Sequence, residues 1–280
     1  MKIENLIVVS LEDTASCNIK KFLLELGEWQ QHDPFESNPT FVMGNSIIVT
    51  IEPMHLYCDN IDKKVGEHFG FEAELVIFLS RHRSESGLKT LTVHPVGNYA
   101  DAKFGGMPGK LVPSSPRRMT SALRVLKREG AELIHQISYE ATHHGPYLTT
   151  PAFYIEIGSD ASAWEEPKPA EAIAKTLLTV LAEEEDPKDR IAIGIGGGHY
   201  VPRLTDIACS HHIAFGHMVP VYAVDMENEM YMNAIKATPG ADCVYFHKKS
   251  LKKSRYRELA AWCESEGGLE VVDSKTLEAI

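Results

Sequence analysis

Strand-like runs rich in β-branched residues alternate along the chain with runs whose apolar residues recur at helical spacing. This alternation restricts the possible folds more than any other feature of the sequence. The runs at 3–10, 41–51, 74–80, 90–94, 133–141, 152–157, 190–195, 219–224 and 242–246 read as strands, and those at 14–26, 117–129, 168–184, 202–210, 227–237 and 251–265 as helices. In the last helix Tyr256, Leu259, Ala260 and Cys263 keep the spacing of one face, and Gly267 offers a stop. Strands and helices in this order predict an α/β fold with a largely parallel or mixed sheet between helical layers. The Gly44-Asn45 pair inside the second strand run suggests a hairpin, which favours a mixed sheet.

No repeat and no Gly/Ser- or Pro-rich linker divides the 280 residues, so residues 1–280 are expected to form one domain. The five cysteines are an odd number with no CxxC pair, which argues against both a disulfide framework and a thiolate zinc site. No apolar run reaches the ~18 residues of a membrane span, and the opening MKIENLIVVSLED meets acidic residues too soon for a secretory signal. A cytoplasmic protein, monomeric or a small homo-oligomer, is the expectation.

A net charge of −11 has the wrong sign for non-specific coating of nucleic acid, but it averages over faces. Residues 248–257, KKSLKKSRYR, carry six of the 28 Lys and Arg residues and no acid. Lys248, Lys249, Lys252 and Lys253 would share one side of a helix and could face phosphates; the alternative is a solvated helix face. The stretch 98–118, with three prolines and three glycines, reads as a long loop whose Arg117 and Arg118 could touch an anion.

Thirteen histidines are a surplus, and six fall at strand ends or in the loops beyond: His82, His94, His143, His144, His199 and His217. Ligand crevices of open α/β sheets lie beyond the carboxyl ends of strands, where residues distant in sequence converge. Imidazole is a common zinc ligand, and a catalytic zinc needs three N or O ligands and one open position. Glu140, close before the His143-His144 pair, could be a ligand, a general base or the carboxylate that orients an imidazole. The turn Gly194-Ile-Gly-Gly-Gly-His199 could bring the amides of Gly196, Gly197 and Gly198 to an anion or a developing oxyanion. It is neither a Walker A loop nor GxGxxG, and no GxSxG, HExxH or Cys–His signature supplies a nucleophile or metal helix. Water is then the expected attacking group.

Taken together, SRHRSESGLKTLTVHPVGN, SYEATHHGPYLTTPAFYIEIGS, GIGGGHYVPR and GHMVPVY resemble the archaeal and plant type of D-aminoacyl-tRNA deacylase, the archaeal D-tyrosyl-tRNA deacylase family. The resemblance runs over nearly the whole chain. It implies a three-layer α/β/α fold of the phosphorylase/hydrolase-like type, zinc as cofactor, and hydrolysis of the ester that joins a D-amino acid to tRNA. It brings forward His82, His94, His143, His144 and His199, which stand inside the matching motifs. We expect His82, His94, His144 and His199 as metal ligands, and His82, Glu140, His143 and His199 in the chemistry. A zinc-dependent amidohydrolase or peptidase acting on a small amide is the alternative enzyme, and a metal-stabilised module for an anionic partner the alternative without catalysis.

Overall fold

Two sheets organise the chain. The computed structural model describes residues 2–85 and 87–280. The chain runs β1 (Asn5–Ser10), α1 (Thr14–Leu26), β2 (Gln30–Phe35), β3 (Asn38–Met43), β4 (Ser46–Ile51), α2 (Ile61–Phe69), β5 (Leu75–Arg83) and β6 (Thr90–Pro95). It continues with α3 (Pro116–Glu129), β7 (Gln136–Tyr139), β8 (Ala152–Ser159), α4 (Ala161–Trp164), α5 (Pro167–Ala182) and β9 (Arg190–Ile195). The last part adds α6 (Pro202–Ser210), β10 (Ile213–Val219), α7 (Asn228–Lys236), β11 (Cys243–Phe246), α8 (Lys253–Ser265) and β12 (Glu270–Val272).

The first sheet has eight strands in the order β2-β3-β4-β1-β5-β8-β6-β7. It is mixed: β3 runs antiparallel to both β2 and β4, joined to β4 by the Gly44-Asn45 turn, and β6 runs against β8. The second sheet, β10-β9-β11-β12, is parallel throughout. On one face of the first sheet Ile7, Val9, Ile77, Leu79, Phe153 and Ile155 pack in the core that holds residues of α1, α3 and α5. On the opposite face Leu6, Val8, Val76, Phe78 and Tyr154 meet Ile61 and Val65 of α2. These helix, sheet and helix layers are the expected three-layer α/β/α arrangement.

The differences from the sequence reading have physical causes. β2 is almost wholly exposed at the sheet edge, so its sequence QQHDPF lacks an apolar alternation. α2 is short and is ended by Gly70 in the left-handed region. The strand expected at 219–224 lies earlier, at Ile213–Val219, and Val221–Ala223 forms a single 3-10 turn. Gly216 hid it, because the glycine belongs inside the strand: a Cβ there would come within 2.3 Å of the Thr238 side chain.

Register decides which side chains meet. Ser80 pairs with Glu156 and His82 with Gly158, while Thr92 pairs with Glu156 and His94 with Tyr154. Period two therefore sets Phe78, Ser80 and His82 beside Tyr154 and Glu156, and Thr92 and His94 beyond them, on the face that α2 only partly covers. A Cβ at Gly158 would lie 2.3 Å from Thr90 Oγ1 and 3.2 Å from the His82 ring, so this glycine leaves room for the imidazole.

Candidate active site

Five of the six expected histidines converge around two buried carboxylates. Glu140 follows β7, and its amide donates to Val93 O. Its carboxylate faces His82 Nδ1 at 3.2 Å, His143 Nε2 at 3.4 Å and His199 Nε2 at 3.0 Å. Glu156, inside β8, faces His82 Nδ1 at 3.5 Å, His94 Nε2 at 3.6 Å and His144 Nε2 at 4.0 Å. His82 is thus shared between the two. Both Glu140 oxygens and His94 Nε2 are buried without a hydrogen-bond partner. Uncompensated polar atoms of this kind are costly unless another group enters the space between them.

The electrostatics sort the imidazoles. Burial opposes charge on His82, but Glu156 and Glu140 outweigh it and raise its pKa to about 9. His94 is raised in the same way, against its burial, by the same carboxylates. His144 is pushed down to about 3 by burial and by His94, and His143 falls well below the ordinary value through burial and its neighbouring imidazoles. Burial works against both carboxylates, yet their imidazole partners hold Glu140 low and Glu156 lower still. The protons favoured on His82 and His94 thus offset the two carboxylates, and a divalent cation can take the place of two such protons.

The donors fit such a cation. His82, Glu140, His143 and His199 bring ligand atoms within 4.8 Å of one another, as do His94, His143 and His144, and His94, Glu140 and Glu156. Nitrogen and oxygen donors without thiolate suit zinc.

Residues the sequence reading did not single out back this cluster. Glu156 was open to detection as a carboxylate inside the apolar run FYIEIG. Tyr154 lies parallel to the His94 ring with centroids 5.1 Å apart, stands edge-on to His144, and donates its hydroxyl to Gly145 O at 3.1 Å. Behind it, the buried His55 reaches Tyr154 OH at 3.3 Å and Asp13 Oδ2 at 3.4 Å. Asp13 also accepts from Ser16 N, capping α1, and from Arg81 N beside His82. Tyr200 OH lies 3.2 Å from His82 Nε2.

Several expectations change. His217 is not at a strand end: it is buried within β10, with Nε2 2.9 Å from Val112 O and Nδ1 3.1 Å from Thr142 Oγ1, and it joins no carboxylate. Burial pushes its pKa down to about 4, below the ~6.5 of an exposed imidazole. The unfolded chain therefore binds a proton in this window that the folded chain refuses. The associated stability is fully present above pH 6.5 and lost as pH falls toward 4, about 3 kcal/mol for this one residue. Unfolding free energies measured between pH 7 and 4 should lose that increment of slope in His217→Gln; an unchanged slope would exclude His217 as its source.

The glycine turn offers fewer amides than expected. Gly196 N donates to Val219 O at 2.8 Å and Gly197 N to Ser250 Oγ at 2.9 Å, so of the three only Gly198 is left as an oxyanion donor. Lys248, Lys249, Lys252 and Lys253 do not share one helix: Lys248–Ser250 is a 3-10 turn, Lys252 is extended, and α8 begins at Lys253. All four remain exposed, although Lys248 Nζ lies 3.8 Å from Asp273 and over the Tyr256 ring. Arg117 and Arg118 are turned onto protein, Arg117 to Asp189 O and Arg118 to Val180 O and Glu183 O.

The layered fold and its imidazole–carboxylate cluster define an α/β protein with a donor set suited to a metal ion. The family model of D-aminoacyl-tRNA deacylase matches residues 69–272. The chain is 40% identical to D-aminoacyl-tRNA deacylase of Methanosarcina acetivorans, over 93% of this chain and 89% of that one. It is 36% identical to D-aminoacyl-tRNA deacylase of Thermococcus kodakarensis, over 93% of this chain and 96% of that one. A crystal structure of a conserved protein of unknown function superimposes with a TM-score of 0.90 at 30% identity, covering 100% of both chains. The chain belongs to the D-aminoacyl-tRNA deacylase family. Among the described residues no helix is long and apolar enough to cross a membrane.

Proposed function

We propose that the chain hydrolyses the ester of D-aminoacyl-tRNA, D-tyrosyl-tRNA among them, releasing the free D-amino acid and intact tRNA in the cytoplasm as a chiral proofreading step, with zinc as cofactor. The observation that carries this reading is the pair of buried carboxylates, each ringed by imidazoles and, at Glu140, with no hydrogen bond of its own. Zinc held among His82, His94, His143, His144, His199 and Glu156, with Glu140 beside it, would polarise the ester carbonyl and lower the pKa of water toward ~7.

The chain's own residues divide the remaining work. The Glu140 partners His143 and His199 are 24% and 34% exposed, so Glu140 faces the side from which an ester can arrive. It takes the proton of the attacking water in this reading. Glu156 is shut behind His94 and His144 and holds them in place. Gly198 N–H is the backbone donor for the developing oxyanion. The leaving group is a ribose hydroxyl, which departs with the proton that Glu140 took from the attacking water.

Purified protein should contain zinc and release D-tyrosine from D-Tyr-tRNA but no tyrosine from L-Tyr-tRNA, and a chelator should abolish that release. A metal-free preparation with full activity would overturn the zinc assignment; an intact D-Tyr-tRNA would overturn the substrate.

The exposed lysines beside the glycine turn, joined to it through Ser250, are proposed to meet tRNA phosphates. With Lys248 already engaged by Asp273, about three contacts are expected. Changing all four lysines to Gln should flatten log K against log salt by roughly 0.7–0.9 per lost contact and leave turnover at saturating tRNA nearly unchanged. An unchanged slope would place the RNA path elsewhere.

A further inference from the structure

Beside His143 the surface sinks into a recess of about 380 Å³, formed by the 97–101 loop, Thr142 and the 222–226 segment after β10. We infer that this recess receives the aminoacyl group of the substrate and limits the size of its side chain, an inference that rests on the deacylase reading above.

Continuity comes first. His143 belongs both to the recess wall and to the cluster around Glu140, so a group seated here holds its carbonyl carbon at the edge of that cluster. The lining is suited to an apolar side chain. Tyr99, Tyr222, Ala223 and Met226 present rings and methyl groups, while the polar floor is satisfied within itself: Tyr99 OH donates to Thr142 Oγ1 at 3.2 Å, and Thr142 Oγ1 lies 3.1 Å from His217 Nδ1.

Charge selects among the parts of an aminoacyl-tRNA. The rim carries Asp101 and Asp225, and no lysine or arginine is among the residues that line the recess. Asp225 lies 3.6 Å from Arg255, which leaves Asp101 as the carboxylate for an incoming ammonium. A phosphate would be repelled here, whereas the α-ammonium of an amino acid would be attracted. The exposed lysines stand instead by the glycine turn, through the Ser250–Gly197 bond. The volume agrees, since 380 Å³ is near the lower end of the ~300–1,000 Å³ of small-molecule sites. The larger groove by Lys2, Lys63 and Gly70 holds none of the clustered histidines.

The test compares hydrolysis of tRNA carrying D-alanine, D-tyrosine or D-tryptophan by the wild-type protein, Ala223→Phe and Tyr222→Ala. Filling the recess with Ala223→Phe should lower kcat/KM for the two aromatic substrates by on the order of 10-fold relative to D-alanine. Tyr222→Ala, at a side chain 68% exposed and so harmless to folding, should shift the ratio toward D-tryptophan. Equal loss on all three substrates would mean that the recess holds the terminal adenosine, and unchanged ratios in both variants would mean that it holds neither; each overturns the inference. A wild-type protein that hydrolyses none of the three would instead overturn the deacylase reading, and the assignment of the recess would fall with it.

Discussion

Glu140→Gln should lower kcat by about 10²- to 10⁴-fold while leaving the protein folded and KM little changed. The carboxylate is buried, holds no hydrogen bond, and faces three imidazole nitrogens within 3.4 Å. Its shape contributes little that an amide lacks; its charge and its ability to take a proton are what the substitution removes. The loss should therefore appear in the chemical step, with single-turnover rates of the folded fraction falling as far as steady-state ones, beyond any stability cost of parting Glu140 from His82. A variant with normal turnover would move the proton-accepting role to another residue.

Glu156→Gln should instead act on stability. In the metal-free protein this carboxylate faces His82 and His94, the two imidazoles whose charged forms it favours. Removing one partner of a buried ionic group strands the others, at a cost of about 3–5 kcal/mol. The sign with pH follows. Imidazoles that must be charged are the ones stranded, so the penalty is largest near pH 6 and shrinks as pH rises toward 9, where His82 can lose its proton even in the wild type. Urea unfolding at pH 6 and pH 9 checks both size and sign. A penalty that grew with pH would mean that Glu156 does not carry the negative charge.

The alternation of strands and helices made the layered α/β fold legible, and the Gly44-Asn45 turn made the mixed sheet so. The histidine motifs also brought forward imidazoles that the structure gathers, because His82 and His94 stand next to last in β5 and β6 and His199 follows β9. Glu156 escaped because its role depends on register. Only when β8 sits between β5 and β6, with Ser80 and Thr92 both opposite residue 156, does a glutamate in an apolar strand become the partner of three histidines. His217 misled for the converse reason, since its ring is satisfied by Thr142 and by Val112 O from a loop distant in sequence. The glycine turn advertised amides that Val219 O and Ser250 Oγ already occupy, and no local pattern reveals such long-range acceptors.

The loop that carries Glu140, His143 and His144 is stitched to the second sheet by two backbone bonds, Ala141 N to His199 O and Thr142 N to Met218 O. His199 enters the cluster only from that second sheet. Neither sheet contains the centre by itself, so the integrity of the cluster is tied to the docking of the two sheets: a chain in which they part loses both the imidazole of His199 and the two bonds that hold the loop of Glu140 in place.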